Sequence, residues 1–279
     1  MLWRVLSFAL AATLVTMSTP TVFAQNQPDA EPFRWPLQQW QALADGPPDE
    51  TSSPEGEALM ARVIRAGPRS SGAVALTFDD GYNAKACGRI ATALRAKAAT
   101  GTFFINGNYV RDDPDRWRRI LRGMEVGNHT RSHHDLTRVP HPVVKKQVLE
   151  NEWIHERVLG RPILKVLRPP YGAYGLRVRR IAAQLGYDRI AMWSVDTQDW
   201  KHSSSARDIV RRATGARPGS VILMHCARGE TADALPGIIR HYHSRGIRLA
   251  GLSEVLGLGE VLEGAKATRD DAVPERYSQ

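Results

Sequence analysis

Five groups of ionisable residues each stand directly after a short apolar run. Phe78 leads into Asp79-Asp80-Gly81, and Val126 leads through Gly127 and Asn128 into His129-Thr130-Arg131-Ser132-His133. Leu167 leads into Arg168-Pro169-Pro170-Tyr171-Gly172, Val195 into Asp196-Thr197-Gln198-Asp199-Trp200, and Met224 into His225. His129 and His133 are four residues apart, so one helical turn or a tight loop puts both imidazoles on one side. A carboxylate from the Asp79-Asp80 pair completes a two-histidine, one-carboxylate set, which suits a catalytic metal because a further position stays open to water. Adjacent aspartates at a strand end point in different directions, so one can bind metal while the other faces a bound water. The plainer readings are a solvated histidine face and an aspartate capping the next helix.

Such distant groups can work together only if the fold brings them to one place. The apolar runs 74–78, 101–105, 163–167, 190–195, 220–224 and 247–250 alternate with segments whose apolar residues recur at helical spacing. Examples are Ile90/Leu94, Trp117/Ile120/Leu121/Met124, Val144/Val148 with Ile154/Val158, Val178/Ile181/Leu185 and Leu235/Ile238/Ile239. Strand-helix alternation over about 180 residues predicts an α/β fold with a parallel sheet, open and doubly wound or closed as a barrel. In either form the carboxyl ends of the strands share one face, and all five groups fall there. Arg62-Val63-Ile64-Arg65 adds a further strand ahead of the first run.

Composition agrees with a single folded domain. The chain has 279 residues, 42% hydrophobic and 24% charged, which excludes a mainly disordered or polytopic membrane protein. Its formal charge is +9, yet the cations at Arg116, Arg118, Arg119, Arg122, Lys145, Lys146, Arg211 and Arg212 lie on expected helix faces without interleaved aromatics. They read as solvated surface, and no nucleic-acid partner is expected. Residues 1–24 have Arg4, an apolar core from Val5 to Met17, Pro20, and small residues before Gln25, which is the order of a cleavable secretory signal. Export to the periplasm or the extracellular space follows, with no integral membrane span after cleavage. Residues 25–60 read as a linker with one short helix around 36–43, residues 61–257 as the catalytic domain, and residues 258–279 as a polar tail. Cys87 and Cys226 are the only cysteines; in an oxidising compartment they form either one bridge or two buried thiols, and spacing leaves the choice open.

The ordered set Thr77-Phe78-Asp79-Asp80-Gly81, His129 to His133, Arg168 to Gly172, Asp196 to Trp200 and Leu223-Met224-His225 resembles the five motifs of the polysaccharide deacetylases, carbohydrate esterase family 4, which share the NodB homology domain. The resemblance covers roughly residues 70–257. It implies a distorted (β/α)7 barrel and metal-dependent hydrolysis of N-acetyl groups on an N-acetylglucosamine-containing polysaccharide: peptidoglycan, a chitin-like oligomer or an exopolysaccharide. Carried over, Asp79 is the general base, and Asp80, His129 and His133 hold a divalent metal, zinc first, with cobalt, manganese or nickel also suited to these ligands. Arg168 orients Asp79, Tyr171 offers its backbone N–H to the oxyanion, and Asp199 holds His225, the general acid. Trp200 and Leu223 line the pocket for the acetyl methyl group. Two positions depart from the pattern: Tyr82 and His134 stand where many members have proline. Both bear on loop shape and rim contacts more than on chemistry. The alternatives are an O-acetyl, xylan-type esterase on the same site, a non-catalytic glycan-binding protein with a structural metal, and a two-histidine, one-carboxylate iron oxygenase, which an α/β pattern disfavours.

Overall fold

The computed structural model describes residues 60–258. The expected signal segment, nearly all of the 25–60 stretch with its short helix, and the polar tail beyond 258 lie outside the described residues. The described residues form nine strands and eight α-helices, mostly in alternation. The strands are β1 Arg62–Ile64, β2 Ala73–Asp80, β3 Thr102–Ile105, β4 Glu125–Asn128, β5 Val166–Leu167, β6 Arg189–Ala191, β7 Val195–Asp196, β8 Val221–His225 and β9 Arg248–Ala250. The helices are α1 Ala84–Arg95, α2 Gly107–Asp112, α3 Pro114–Ile120, α4 His141–Leu159, α5 Leu176–Gln184, α6 Ala206–Ala213, α7 Gly229–His243 and α8 Leu252–Leu256.

All ladders between these strands are parallel, as helical crossovers require. β2 is flanked by β8 on one side, and on the other by β9 along its first half and β3 along its second. From β3 the pairing runs through β4 and β5 to β6. The single segment 189–196 then changes neighbours. Its start pairs with β5 and β1, Met192 N–H still reaches the Ile64 carbonyl at 2.8 Å, and Ser194 N–H reaches Val221 at 3.0 Å, after which β7 pairs with β8. That switch returns the sheet to β8 and makes a curled, distorted (β/α)7 barrel, with β1 as an extra strand against β6. The apolar run 190–195 is thus two short strands around a bend.

The alternation of side chains along β2 separates core from site. Val74, Leu76 and Phe78 pack outward against the helices with Ile90, Leu94, Phe103, Ile222 and Met224. Ala73 and Ala75 face a second cluster with Phe104, Val166, Ala191 and Val221, so Thr77 and Asp79, two and four residues beyond Ala75, continue that inner face. Both faces are buried, which accounts for the nearly unbroken apolar run. Gly81 leaves the strand at φ +97°, and a Cβ there would come within 2.6 Å of Ile105 Cγ2, so a side chain is excluded by conformation and by space. Helix α1 is capped by Asn83, whose Oδ1 accepts from Ala86 N–H at 3.1 Å. The aspartate pair is therefore free of the capping duty that its sequence position allows.

Cys87 on α1 and Cys226, directly after β8, are joined as a disulfide with their Cα atoms 5.0 Å apart and 139 residues between them in sequence. The bridge ties the helix that follows the aspartate pair to the strand end that carries His225. Among the described residues no helix is long and apolar enough to cross a membrane. Replacing both cysteines by alanine is expected to cost about 2–4 kcal/mol of unfolding free energy, measured by urea denaturation of oxidised wild type against the double variant; equal midpoints would show the bridge to be thermodynamically idle.

Candidate active site

The five groups meet at the carboxyl ends of the strands. β2 and β8 are in register so that Asp79 is paired with His225 and Thr77 with Leu223. Asp79 is buried, and its Oδ1 accepts from Arg168 Nη1 at 2.7 Å. Arg168, at the end of β5, has no exposed surface. It spends its other donors on Thr77 Oγ1 at 2.8 Å, the Ala191 carbonyl at 3.0 Å and the Met192 carbonyl at 3.4 Å, while its guanidinium lies 4.1 Å from the Phe104 ring centroid.

Asp80, one residue further, turns the other way. Its Oδ1 is 3.2 Å from His133 Nε2 and 3.4 Å from His129 Nε2. Burial by itself would raise the Asp80 pKa, but the hydrogen bonds to His129 and His133 overcome it and hold this carboxyl well below the usual carboxylate range. His129 Nδ1 lies 2.7 Å from the Arg168 carbonyl, which fixes the ring and directs Nε2 inward. One donor atom each from Asp80, His129 and His133 lies within 4.8 Å of the others. A carboxylate and two imidazoles converging at this spacing fit a divalent cation of the zinc type.

The two histidines do not share a helix. They sit on the loop after β4, where Thr130 and His133 have φ of +66° and +58°, and Asp80 has φ +74°. Non-glycine residues held in this region cost on the order of 1–3 kcal/mol each and persist only where the surroundings over-determine them. Here a buried polar lattice does so. Asn128 Oδ1 accepts from Thr130 N–H at 2.9 Å, and Asn106 Nδ2 donates to the His129 carbonyl at 2.8 Å. Gln147 Oε1 of α4 accepts from Ser132 N–H at 2.9 Å, and Thr130 Oγ1 accepts from His133 N–H at 3.2 Å. His134 turns to Ser132 Oγ at 3.0 Å and stands apart from the ligand set.

Opposite the histidine loop, His225 Nδ1 lies 2.7 Å from Asp199 Oδ1, and the other oxygen of Asp199 accepts from His225 N–H and Thr231 Oγ1, each at 2.7 Å. Burial opposes charge on His225, but the hydrogen bond and charge of Asp199, with the charges of Asp79 and Asp80, outweigh it and raise the imidazolium pKa to about 9. Tyr171 lies in the turn 170–172 at φ +60°, its ring 4.6 Å from that of His133. Leu223 is buried on β8, and Trp200 is half exposed on the loop after β7. Thr77 and Thr231 were not singled out from sequence. Thr77 is legible in retrospect, because it lies two residues before Asp79 on the same strand face. Thr231 carries no local signal, since only the docking of α7 brings it to Asp199.

A sequence profile described as polysaccharide deacetylase matches residues 66–190. The chitooligosaccharide deacetylase of Sinorhizobium fredii is 33% identical over 208 residues, covering 68% of this chain and 96% of that protein. The chain belongs to the polysaccharide deacetylase family. The peptidoglycan-N-acetylmuramic acid deacetylase PdaC of Bacillus subtilis is 36% identical over 184 residues, 65% of this chain, and the match spans only 38% of PdaC. Among solved structures, the Bc1960 peptidoglycan N-acetylglucosamine deacetylase superposes with a TM-score of 0.66 at 33% identity, over 73% of this chain and 96% of that one.

In the metal-free protein, the His225 imidazole is expected to titrate near pH 9 by NMR. Its pKa is raised above the ordinary 6.5, so its contribution to stability is complete below about pH 6.5 and fades as pH rises through about 9. Asp199→Asn removes the largest of the effects that oppose burial and should lower the value; an unchanged titration would show that Asp199 does not set it.

Proposed function

We propose that this protein is an exported, metal-dependent hydrolase that removes N-acetyl groups from an N-acetylglucosamine-containing polysaccharide. The observation that carries the reading is the register pairing of Asp79 with His225, which sets a proton acceptor beside a proton donor at the edge of the Asp80, His129 and His133 donor set. The names of the relatives support the substrate class, since they act on chitooligosaccharides or peptidoglycan. Export is supported by the leader pattern of residues 1–24 and by the disulfide.

Asp80, His129 and His133 would hold the ion, with zinc the first candidate. When bound, it would polarise the acetyl carbonyl and make water acidic enough to ionise near neutral pH. Asp79, positioned by the hydrogen bond it accepts from Arg168, takes the proton of the attacking water. The N–H of Tyr171 donates to the oxygen that becomes negative as the carbonyl carbon turns tetrahedral. His225, kept protonated by Asp199, gives its proton to the departing sugar amine, which is otherwise a poor leaving group. Leu223 and Trp200 border the space for the acetyl methyl group, so that bulkier acyl groups are disfavoured.

Acetate release from chitotetraose, measured beside metal content on the same samples, tests the assignment. Asp79→Asn should keep its metal and lose about 10²–10⁴-fold in kcat, and His225→Ala should behave alike. Asp80→Ala should lose the metal itself. A metal-free Asp79→Asn or a metal-replete Asp80→Ala would exchange the two roles, and a wild type that binds metal yet releases no acetate from N-acetylated glycans would remove the reading.

A further inference from the structure

Away from the motif groups, the fold gathers cations that are scattered in sequence. Helix α1 packs against both α3 and α7, and residues of these three helices line an open groove of about 730 Å³. Small residues such as Gly88, Ala93, Ala96 and Ala232 contribute to its walls. Five cations line it as well: Lys85, Arg89 and Arg95 from α1, and Arg116 and Arg119 from α3. None of the residues that line it is acidic, and none belongs to the five motif groups.

The charge in this groove is only partly neutralised. Asp233 of α7 pairs with Arg89 at 2.5 Å, and Asp113 approaches Arg116 no closer than 3.9 Å. Arg95 Nη1 donates to the carbonyls of Ile120 at 3.0 Å and Arg122 at 3.1 Å. Those bonds hold the guanidinium between α1 and α3 without cancelling its charge. Lys85 and Arg119 are exposed and make no ion pair among the described residues. Two carboxylates therefore answer five cations, and unbalanced charge along a cleft concentrates ligands of opposite sign.

The form of the groove selects among polyanions. Its α1 cations are spread from position 85 to position 95, about 15 Å of helix, which suits a chain charged on successive units better than a single small anion. No lining residue is aromatic, so the bases of a nucleic acid would find no stacking surface. The exposed large apolar side chains Tyr82, Tyr109, Tyr171, Leu176 and Trp200 all lie outside it, so a bilayer would find no apolar anchor there. An acidic sugar chain needs neither. Its carboxylates match guanidinium forks, and its hydroxyls can accept from the same donors.

We propose that the groove between α1, α3 and α7 binds a linear acidic polysaccharide, one with carboxylates on successive sugars, and so retains the protein on anionic glycan while the barrel mouth stays free. This surface is independent of whether the barrel site hydrolyses acetyl groups.

Calorimetric titration of the full chain with polygalacturonate tests it, with dextran as the uncharged glycan. Polygalacturonate should bind with an affinity that falls as salt is added, and dextran should not bind. The triple variant Lys85→Ala, Arg116→Ala, Arg119→Ala should weaken binding about tenfold or more at an unchanged melting midpoint, and Lys85→Glu alone should act in the same direction. A second triple, Arg69→Ala, Arg207→Ala, Arg217→Ala, removes the same charge from exposed positions outside the groove and should stay within about twofold of wild type. Equal losses in the two triples, or no binding of polygalacturonate by wild type, overturns the proposal. Tighter groove-dependent binding to duplex DNA or to phosphatidylglycerol vesicles overturns the assignment of an acidic glycan.

Discussion

The buried pair of Arg168 and Asp79 is the interaction on which the site depends. An arginine with no exposed surface is tolerable only if its donors are satisfied, and here β2, β5 and β6 together supply the acceptors. Removing one member of such a pair strands the other charge in a low-dielectric interior, at a cost of about 3–5 kcal/mol. The same residue reaches the other half of the site through its backbone, because its carbonyl positions the ring of His129. One residue thus contacts both the Asp79 carboxylate, through its guanidinium, and the His129 imidazole, through its carbonyl.

Strand geometry then divides the labour of two identical neighbours. Asp79 continues the inner face begun by Ala73, Ala75 and Thr77, and it meets Arg168. Asp80, at φ +74°, leaves that face for the histidines. The parallel register with β8 brings His225 beside Asp79 without any long side chain having to reach across the barrel. Asp199 and Thr231, from the β7 loop and from α7, complete the environment that favours the imidazolium. The imidazoles of His129 and His133 favour the charged form of Asp80, and the Asp199 carboxylate favours that of His225.

The histidine loop is held by a less visible structure. Helix α4 buries Gln147, Glu150, Asn151, Glu152 and His155 along with its aliphatic residues, so its inner face is a polar lattice under strained backbone. Asn128 accepts from both Thr130 N–H and Asn151 Nδ2 and donates to the Tyr187 hydroxyl at 2.7 Å, which in turn donates to Glu152. This network stabilises a loop conformation that its own residues would not choose.

The amino-acid sequence by itself determined the alternation of strand and helix, the parallel sheet and the five reactive groups, because hydrophobic period and residue type are local properties. It also carried the likeness to the polysaccharide deacetylases, in the residue types and order of the five motifs. Other features needed the fold: the neighbour switch at 192–194 that closes the barrel, the pairing of Cys87 with Cys226, and the loop rather than helix that carries His129 and His133. The contacts of Thr231 with Asp199 and of Gln147 with the histidine loop likewise depend on the docking of α7 and α4. Each of these depends on which distant segments become neighbours, and that is settled by packing and register over the whole chain, which no local window of residues contains.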